Sequence, residues 1–149
     1  MNITIEPTIR QKIQIPYKYS AGPAMTKFLR GLQEKVIFAS ACSGCGRRSV
    51  PPIGFCGRCW QPIEEYVPVE QRGTVESLIP SADAAERPSD NSAHRTGYAL
   101  IRLEGCTTSL VHMVHWIPEA PLRNGSVVVP VWSEERTASI LDIAYFQAA

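Results

Sequence analysis

The second half of the chain contains five short apolar runs rich in Val, Ile, Tyr and Trp, a composition typical of β-strands. They span residues 73–80, 97–104, 109–116, 126–135 and 139–146. Most of these runs have no helical pattern between them. Five strands favour a small closed Greek-key barrel of the OB type over an immunoglobulin-like sandwich, which needs about seven. Glycines at the start of the first two runs, and Gly125 before the fourth, agree with that choice.

The first third of the chain has a different pattern. Apolar residues recur at intervals of three and four, which predicts an amphipathic helix over residues 25–38. These residues are Met25, Phe28, Leu29, Leu32 and Val36. Before the helix, residues 1–24 contain alternating isoleucines interrupted by three prolines. We interpret this segment as an extended arm with little core of its own.

A polar segment, residues 81–96, separates the first two predicted strands. It shows no apolar periodicity and is longer than the usual connection in a barrel. A loop of that length is usually functional or disordered.

The length and charge of the chain limit the possible functions. The 149 residues suffice for one ordinary domain or two small modules. Fifteen basic against fourteen acidic residues give a net charge of +1, too small to predict binding to a phosphate backbone. The sequence shows no signal peptide and no apolar run long enough to span a membrane. We therefore expect a soluble, cytoplasmic protein.

Four of the five cysteines form two CxxC pairs separated by ten residues. Two residues between cysteines allow a tight turn to direct both sulfurs at one point, and a second pair completes a tetrahedron. The predicted ligands are Cys42, Cys45, Cys56 and Cys59. Zinc is the expected ion, with a rubredoxin-like iron and a metal-free redox or disulfide protein as alternatives. Four thiolates leave no open position, so the site should be structural.

Glycine is expected to assist both turns. Gly46 follows the first pair and Gly57 lies inside the second. Either can adopt the positive φ that turns backbone N–H groups toward sulfur.

Other reactive residues have simpler explanations. Cys106 lies at a predicted turn without a neighbouring base, which favours a packing role. His112 and His115 are three residues apart on a predicted strand, so they face opposite sides and cannot share a metal. A partly buried histidine satisfied by the backbone is the favoured interpretation, and lining of a barrel pocket by one of them is the alternative.

Two groups of cations could bind an anion. Arg87, His94 and Arg95 lie in the long polar segment and are the first donors to test if that half binds an anionic ligand. The metal-binding segment contains basic residues that would suit a nucleic acid, namely Arg47, Arg48 and Arg58. Against a nucleic-acid module, Arg102 is the only basic residue within the predicted strands.

The order of these parts resembles the acyl-CoA-associated zinc-ribbon and OB-fold proteins, domain of unknown function thirty-five (DUF35). The resemblance covers roughly residues 25–146. It depends on a helix with Phe28, Gly31 and Leu32, then Cys42-x-x-Cys45-Gly46, Pro51-Pro52, Cys56-x-x-Cys59, Gly73-Thr74-Val75 and Gly125-x-Val127-Val128. Trp60 departs from the family, which often has glycine there, and Ile53 stands where arginine is common. An exposed Trp60 would suit an interface, and packing on the barrel is the alternative.

The resemblance implies a mainly β protein with an N-terminal helical arm (1–36), a rubredoxin-like zinc ribbon (37–66) and a C-terminal five-stranded OB-fold domain (67–149). Family members are small non-catalytic subunits, typically encoded beside thiolase-like enzymes. By resemblance, this chain would contain structural Zn²⁺ and no catalytic residue of its own. It would organise a hetero-oligomer with a thiolase-like subunit acting on acyl-CoA thioesters and help to enclose the CoA.

On this interpretation Arg87, His94 and Arg95 would contact the CoA. The N-terminal arm and the amphipathic helix would be docking surfaces, because little sequence surrounds them to bury their apolar residues. A single-stranded nucleic-acid-binding ribbon and OB module is the alternative function.

Overall fold

The part of the chain that the structure describes forms an α-helix, a small sheet and a closed barrel. The computed structural model describes residues 12, 14–16, 20–81 and 94–149. Helix α1 spans Gly22–Gln33, and a three-stranded sheet of order β2-β1-β3 follows it. The strands of that sheet are β1 (Phe38–Ala41), β2 (Arg48–Ser49) and β3 (Glu65–Pro68). The barrel strands are β4 (Gly73–Pro80), β5 (Arg95–Leu103), β6 (Leu110–Trp116), β7 (Val127–Trp132) and β8 (Ile143–Ala148).

The barrel has the OB-like arrangement that the five runs predict. Its strand order is β4-β5-β6-β8-β7, and pairing of β4 with β7 closes the ring. β6 and β8 pair in parallel at Val114 and Phe146, whereas the other neighbouring strands are antiparallel. The predicted mainly β fold, with a helix, a four-cysteine ribbon and a five-stranded barrel, is confirmed.

The last predicted run, residues 139–146, is partly wrong. Ile140–Asp142 forms a 3₁₀ turn, and only Ile143–Ala148 is a strand. Ser139 accepts a hydrogen bond from the amide of Leu141, and the buried Asp142 carboxylate accepts from the amide of Ser139. This reciprocal pairing is a capping box, which starts a helical turn whatever the apolar content of the residues inside it.

Helix α1 also begins and ends earlier than the predicted 25–38. It starts at Gly22 with proline in its first turn, which a helix tolerates. It ends in a Schellman motif with Lys35 at φ 60°. There the amide of Val36 donates to the carbonyl of Gly31 (2.8 Å), and that of Lys35 donates to the carbonyl of Leu32 (3.0 Å). Val36 is therefore a cap residue outside the helix.

The expectation that the helix lacks a partner within the chain is wrong. Phe28 and Leu32 are fully buried in the same apolar core as Ile37 and the barrel residues. Gly31 permits this packing, because a Cβ there would lie 2.5 Å from a ring carbon of Phe38. The apolar face of α1 is therefore not available for docking. The predicted N-terminal arm lies largely outside the described residues.

The ribbon joins the barrel through the turn between β5 and β6. The amide and hydroxyl of Thr107 both donate to the carbonyl of Arg48, at 2.8 and 2.7 Å. The Thr108 hydroxyl accepts from the amide of Val50 and donates to its carbonyl, at 2.8 and 2.9 Å. The division of the chain into domains at residues 36 and 66 remains a prediction. One apolar core extends across α1, β1 and the barrel.

Within the described residues, no helix has the length and apolar character needed to cross a bilayer.

Candidate metal centre

The two CxxC pairs form two turns with the same backbone hydrogen bonds. In the first, the amide of Gly46 donates to the carbonyl of Cys42 (2.8 Å). In the second, the amide of Trp60 donates to the carbonyl of Cys56 (2.9 Å). The amides of Cys42 and Cys56 donate to the carbonyls of Arg47 and Gln61, both at 2.9 Å. We call these two turns the first and second knuckle.

The knuckles bring all four predicted ligands together. Their sulfurs lie within 4.8 Å of one another. The Sγ atoms of Cys42 and Cys59 are 3.5 Å apart, and those of Cys45 and Cys56 are 3.6 Å apart. A tetrahedral site with Zn–S bonds of about 2.3 Å has S···S edges of about 3.8 Å, whereas a disulfide bond is about 2.05 Å long. The arrangement fits a tetrahedral zinc ion and not a disulfide.

The thiols influence one another's protonation. The backbone N–H groups of Cys59 and Arg58 lower the pKa of Cys56 to about 6, and the amide of Arg58 lies 3.4 Å from its sulfur. Hydrogen bonds with the sulfurs of Cys45, Cys42 and Cys56 raise the pKa of Cys59. Four thiolates this close would repel one another, and a divalent cation at their centre removes that repulsion. Four sulfur ligands also leave no position for water or substrate, as in a structural site.

The prediction for Gly57 is wrong. Gly46 has the expected positive φ of 70°, but Gly57 is not among the described glycines with positive φ. In the second knuckle the residue with positive φ is Trp60, at 57°. In each knuckle this residue directly follows the second cysteine and closes the turn. The Trp60 side chain is 81% exposed and therefore does not pack on the barrel.

Cys106 is separate from the metal ligands. It is buried in the apolar core that extends through the barrel. Burial raises the pKa of its thiol, and the nearby Arg48 charge opposes this only in part. These properties suit a packing residue rather than a nucleophile.

The two β6 histidines face opposite sides of the strand. His112 is buried, with its ring nitrogens 3.4 and 3.3 Å from the carbonyl oxygens of Met113 and Ile140. His115 points outward and stacks on Tyr145, with ring centroids 3.9 Å apart. Burial lowers the pKa of His115, and the charge of His94 contributes to the same shift.

His94 and Arg95, the two predicted anion donors that the structure describes, lie at one end of the barrel. Arg87 lies outside the described residues. His94 is exposed and lines a cleft of about 200 Å³ together with His115, Trp116 and Tyr145. Arg95 opens β5 and is paired in register with Trp116. His94 and Arg95 thus lie next to each other at the start of β5, beside this cleft.

One surface was not anticipated from the sequence. The outer face of β4, β5 and β6 carries adjacent exposed apolar side chains. Ile79 is paired with Tyr98, and Leu100 with Val111. The alternation of β5 contains the signal, since Tyr98 and Leu100 lie between the buried Gly97, Ala99 and Ile101. Outward apolar residues at alternate positions indicate an uncovered sheet face.

One family model matches part of the chain. Residues 30–63 match the rubredoxin-like zinc ribbon domain of ChsH2. This match covers the end of α1 and both knuckles. No curated protein matches the chain.

The solved structures that are similar over most of the chain include two from DUF35 proteins. One is a protein of unknown function from the DUF35 family of Sulfolobus solfataricus, with a TM-score of 0.68, 24% identity, and coverage of 87% of this chain and 85% of that chain. The other is the Ltp2-ChsH2(DUF35) aldolase, with a TM-score of 0.61, 20% identity, and coverage of 88% and 98%. Together with the ribbon match, these likenesses identify the chain as a zinc-ribbon protein with the DUF35 fold.

Proposed function

We propose that this chain is a non-catalytic, zinc-binding subunit that organises a thiolase-like enzyme acting on acyl-CoA thioesters. The observation that supports this most directly is the shared fold with the Ltp2-ChsH2(DUF35) aldolase over 88% of the chain. That aldolase consists of Ltp2 and the DUF35 component ChsH2, as its name states. The ribbon match to ChsH2 agrees with it.

The described residues support a non-catalytic role. Thiolase chemistry needs a nucleophilic thiolate, an acid/base partner and an oxyanion hole. Four cysteines close the metal site, and Cys106 is buried with a raised pKa. The nitrogens of His112 face backbone carbonyls, and the Asp142 carboxylate accepts from two backbone amides. The reaction would therefore take place on the partner subunit.

The zinc in this proposal is structural. We call the two knuckles together with Ile63 the distal ribbon. Its small buried cluster consists of Cys42, Cys56 and Ile63, and Cys45 and Cys59 pack against this cluster. Such a cluster is too small to hold two turns together without a metal. Metal analysis of the purified chain should give one zinc per molecule, and a metal-free, folded protein would contradict this.

The CoA part of the proposal concerns Arg87, His94 and Arg95. Of these, His94 and Arg95 lie beside a cleft at the end of the barrel, where cationic donors suit the phosphates of CoA. In the complex, replacing all three by alanine should raise the KM for acyl-CoA and leave kcat unchanged. Arg72→Ala, at an exposed ion pair with Glu104, is the control. An unchanged KM would remove these residues from the proposal.

The function itself is tested by reconstitution. The chain would be purified alone and together with the thiolase-like enzyme encoded beside it. We expect both proteins to be cytoplasmic. A stable complex, and loss of acyl-CoA cleavage or condensation when this chain is omitted, are the expected results. Absence of a complex with any thiolase-like enzyme, or full activity without this chain, would refute the proposal.

The nucleic-acid alternative has weaker support. Arg102, the basic residue within the predicted strands, is paired with Glu76 on the barrel surface. The neighbouring outward side chains of β5, Tyr98 and Leu100, bring only one aromatic ring and no further cation. Binding of single strands needs several of each along one groove.

A further inference from the structure

Trp60 occupies a position that is unfavourable for tryptophan in the isolated chain. It is the most exposed of the large hydrophobic side chains in the described residues, at 81%. Its φ of 57° lies in the left-handed region, which side chains with a Cβ rarely adopt. Both features lower the stability of the free protein: the left-handed φ strains the backbone, and the exposed indole ring must be solvated by water.

The first knuckle shows that the turn does not need a tryptophan. Gly46 is at the equivalent position, with the same backbone hydrogen bond and a φ of 70°. A Cβ at Gly46 would have no atom within 4 Å, so the first knuckle does not select glycine for lack of space. The second knuckle therefore contains a large, strained and exposed residue where glycine would suffice. Folding of this chain does not explain that residue.

Other exposed residues in and beside the second knuckle add to a surface suited to protein contact. Phe55 is 66% exposed, and its backbone forms a β-bridge with Pro62. This bridge is adjacent to the hydrogen bond from the amide of Cys56 to the carbonyl of Gln61. Arg58 is exposed within the same knuckle. We call Phe55, Arg58, Trp60 and Pro62 the tip surface. Tryptophan and arginine are, with tyrosine, the residues enriched at the energetic centre of protein interfaces.

The charges on the ribbon indicate the chemistry of the partner. The basic side chains of the ribbon are Arg47, Arg48 and Arg58. Its two carboxylates, Glu64 and Glu65, lie at the start of β3, so Arg58 is the charged residue of the tip surface. The metal-binding cysteines are buried or half-buried, whereas Arg48 and Arg58 are exposed. A partner of the tip surface would meet the guanidinium of Arg58 next to the exposed aromatic residues. The complementary surface is an apolar pocket with carboxylates at its rim.

We propose that Trp60 inserts into an apolar, carboxylate-rimmed pocket of the thiolase-like partner and anchors the ribbon there. This inference rests on the proposed function, because it takes that enzyme as the partner. It assigns the interface to the ribbon tip rather than to the apolar outer face of β4, β5 and β6.

The test uses the full-length, zinc-loaded chain and the purified thiolase-like enzyme, with the dissociation constant measured by calorimetry. Trp60→Gly should weaken binding about 30-fold or more, the effect of losing an interface hot spot. Its zinc content should remain one per chain, and its thermal midpoint should be equal or higher, since glycine relieves the left-handed φ. Arg58→Glu should slow association, most strongly at low salt.

Tyr98→Thr is the matched control, because it removes an exposed aromatic ring from the outer barrel face and keeps a residue favourable in strands. It should bind within about twofold of the wild type, as expected for a residue outside the interface. Loss of binding in Tyr98→Thr but not in Trp60→Gly would overturn the inference and place the interface on the barrel.

The remaining outcomes separate this inference from the proposed function. If the wild-type chain does not bind the enzyme, the proposed function fails, and the inference fails with it. If the wild-type chain binds and Trp60→Gly binds equally well, only the inference fails. Loss of zinc or of thermal stability in Trp60→Gly would show a structural role and also overturn it. So would salt-sensitive binding of a single-stranded oligonucleotide that requires Trp60.

Discussion

The distal ribbon and the barrel bury different kinds of side chain. Around the knuckles the buried residues are two cysteines and Ile63, and the other two cysteines pack against them. The barrel instead shares a continuous core of aliphatic and aromatic residues with α1 and β1. One region depends on a few strong bonds to an ion, and the other on many weak apolar contacts. Substitutions should therefore affect the two regions independently.

Removal of the metal should have the largest effect and should be confined to the ribbon. In Cys42→Ser the zinc content should fall well below one per chain, because the site loses one of its four thiolates. Since binding of structural zinc contributes about 10–16 kcal/mol in zinc-finger peptides, the ribbon should unfold when the ion is lost. Amides of residues 42–63 should lose protection from hydrogen exchange, while those of the barrel strands keep it. Cys106→Ala, at a buried cysteine outside the metal site, should retain zinc. A protected ribbon in metal-free Cys42→Ser would contradict the comparison.

The next effect is on the barrel. Phe146 is fully buried, with its ring edge-on to His112 at 5.5 Å between centroids. Phe146→Ala should lower the free energy of unfolding by about 3–5 kcal/mol, because it leaves a cavity in the core. Zinc binding should be retained. Urea denaturation measures the loss, and Gln147→Ala at the exposed neighbouring position is the control. Release of zinc by Phe146→Ala would show that the two regions do not respond separately.

Gly31 tests the contact between α1 and the ribbon sheet. A methyl group there would lie 2.5 Å from a ring carbon of Phe38 and 2.7 Å from the carbonyl oxygen of Val36. The ring can shift, but the backbone oxygen is fixed by the end of the helix. Gly31→Ala should cost about 3 kcal/mol by overpacking and regain about 1 kcal/mol in helix propensity, a net loss of about 2 kcal/mol. Arg30→Ala, on the exposed side of the helix, should change stability by less than about 0.5 kcal/mol. Equal stability of the two variants would contradict the close packing.

The two knuckles allow a finer comparison within the ribbon. Gly46→Ala should destabilise the zinc-loaded protein by about 1 kcal/mol, because φ is 70° there although space is open. Gly57→Ala, also in open space but without a positive φ, is the control and should be nearly neutral. Thermal unfolding at a fixed zinc concentration measures both. A larger loss in Gly57→Ala than in Gly46→Ala would refute the backbone assignment.

The smallest expected effect is a pH dependence at the end of the barrel. Burial and the His94 charge hold the pKa of His115 below its ordinary value of 6.5. As the pH falls below 6.5, the unfolded chain binds a proton before the folded one, so stability decreases toward the lower, folded pKa. His115→Phe preserves an aromatic ring beside Tyr145 and should remove this part of the dependence. Urea midpoints at pH 7 and pH 5.5, compared with the wild type, measure it. An unchanged pH slope in His115→Phe would assign the dependence to other groups.

The sequence predicted best those features that depend on local pattern. The run at 73–80 coincides with β4, and the two CxxC pairs form the four-sulfur cluster. Both follow from spacing along a short segment, namely alternation in a strand and two residues between cysteines.

The errors arose where distant residues or capping decided the outcome. The burial of Phe28 and Leu32 depends on barrel residues far along the chain, which helical periodicity cannot identify. The capping box of Ser139 and Asp142 forms a 3₁₀ turn where the apolar run predicted the start of a strand. Trp60 could have been placed by comparing the two knuckles position by position, because Gly46 marks the position of the left-handed residue in the first.

The hydrogen bonds between the ribbon and the β5–β6 turn have a consequence for the order of folding. The cysteines that meet across the knuckles, Cys42 and Cys59, are 17 residues apart, whereas Val50 and Thr108 are 58 apart. Closing a short loop costs less chain entropy and occurs sooner than closing a long one. The knuckles can therefore take up their ion while the barrel is still unfolded. We expect attachment of the ribbon to follow the pairing of β5 and β6, because Thr107 and Thr108 lie in the turn between those strands.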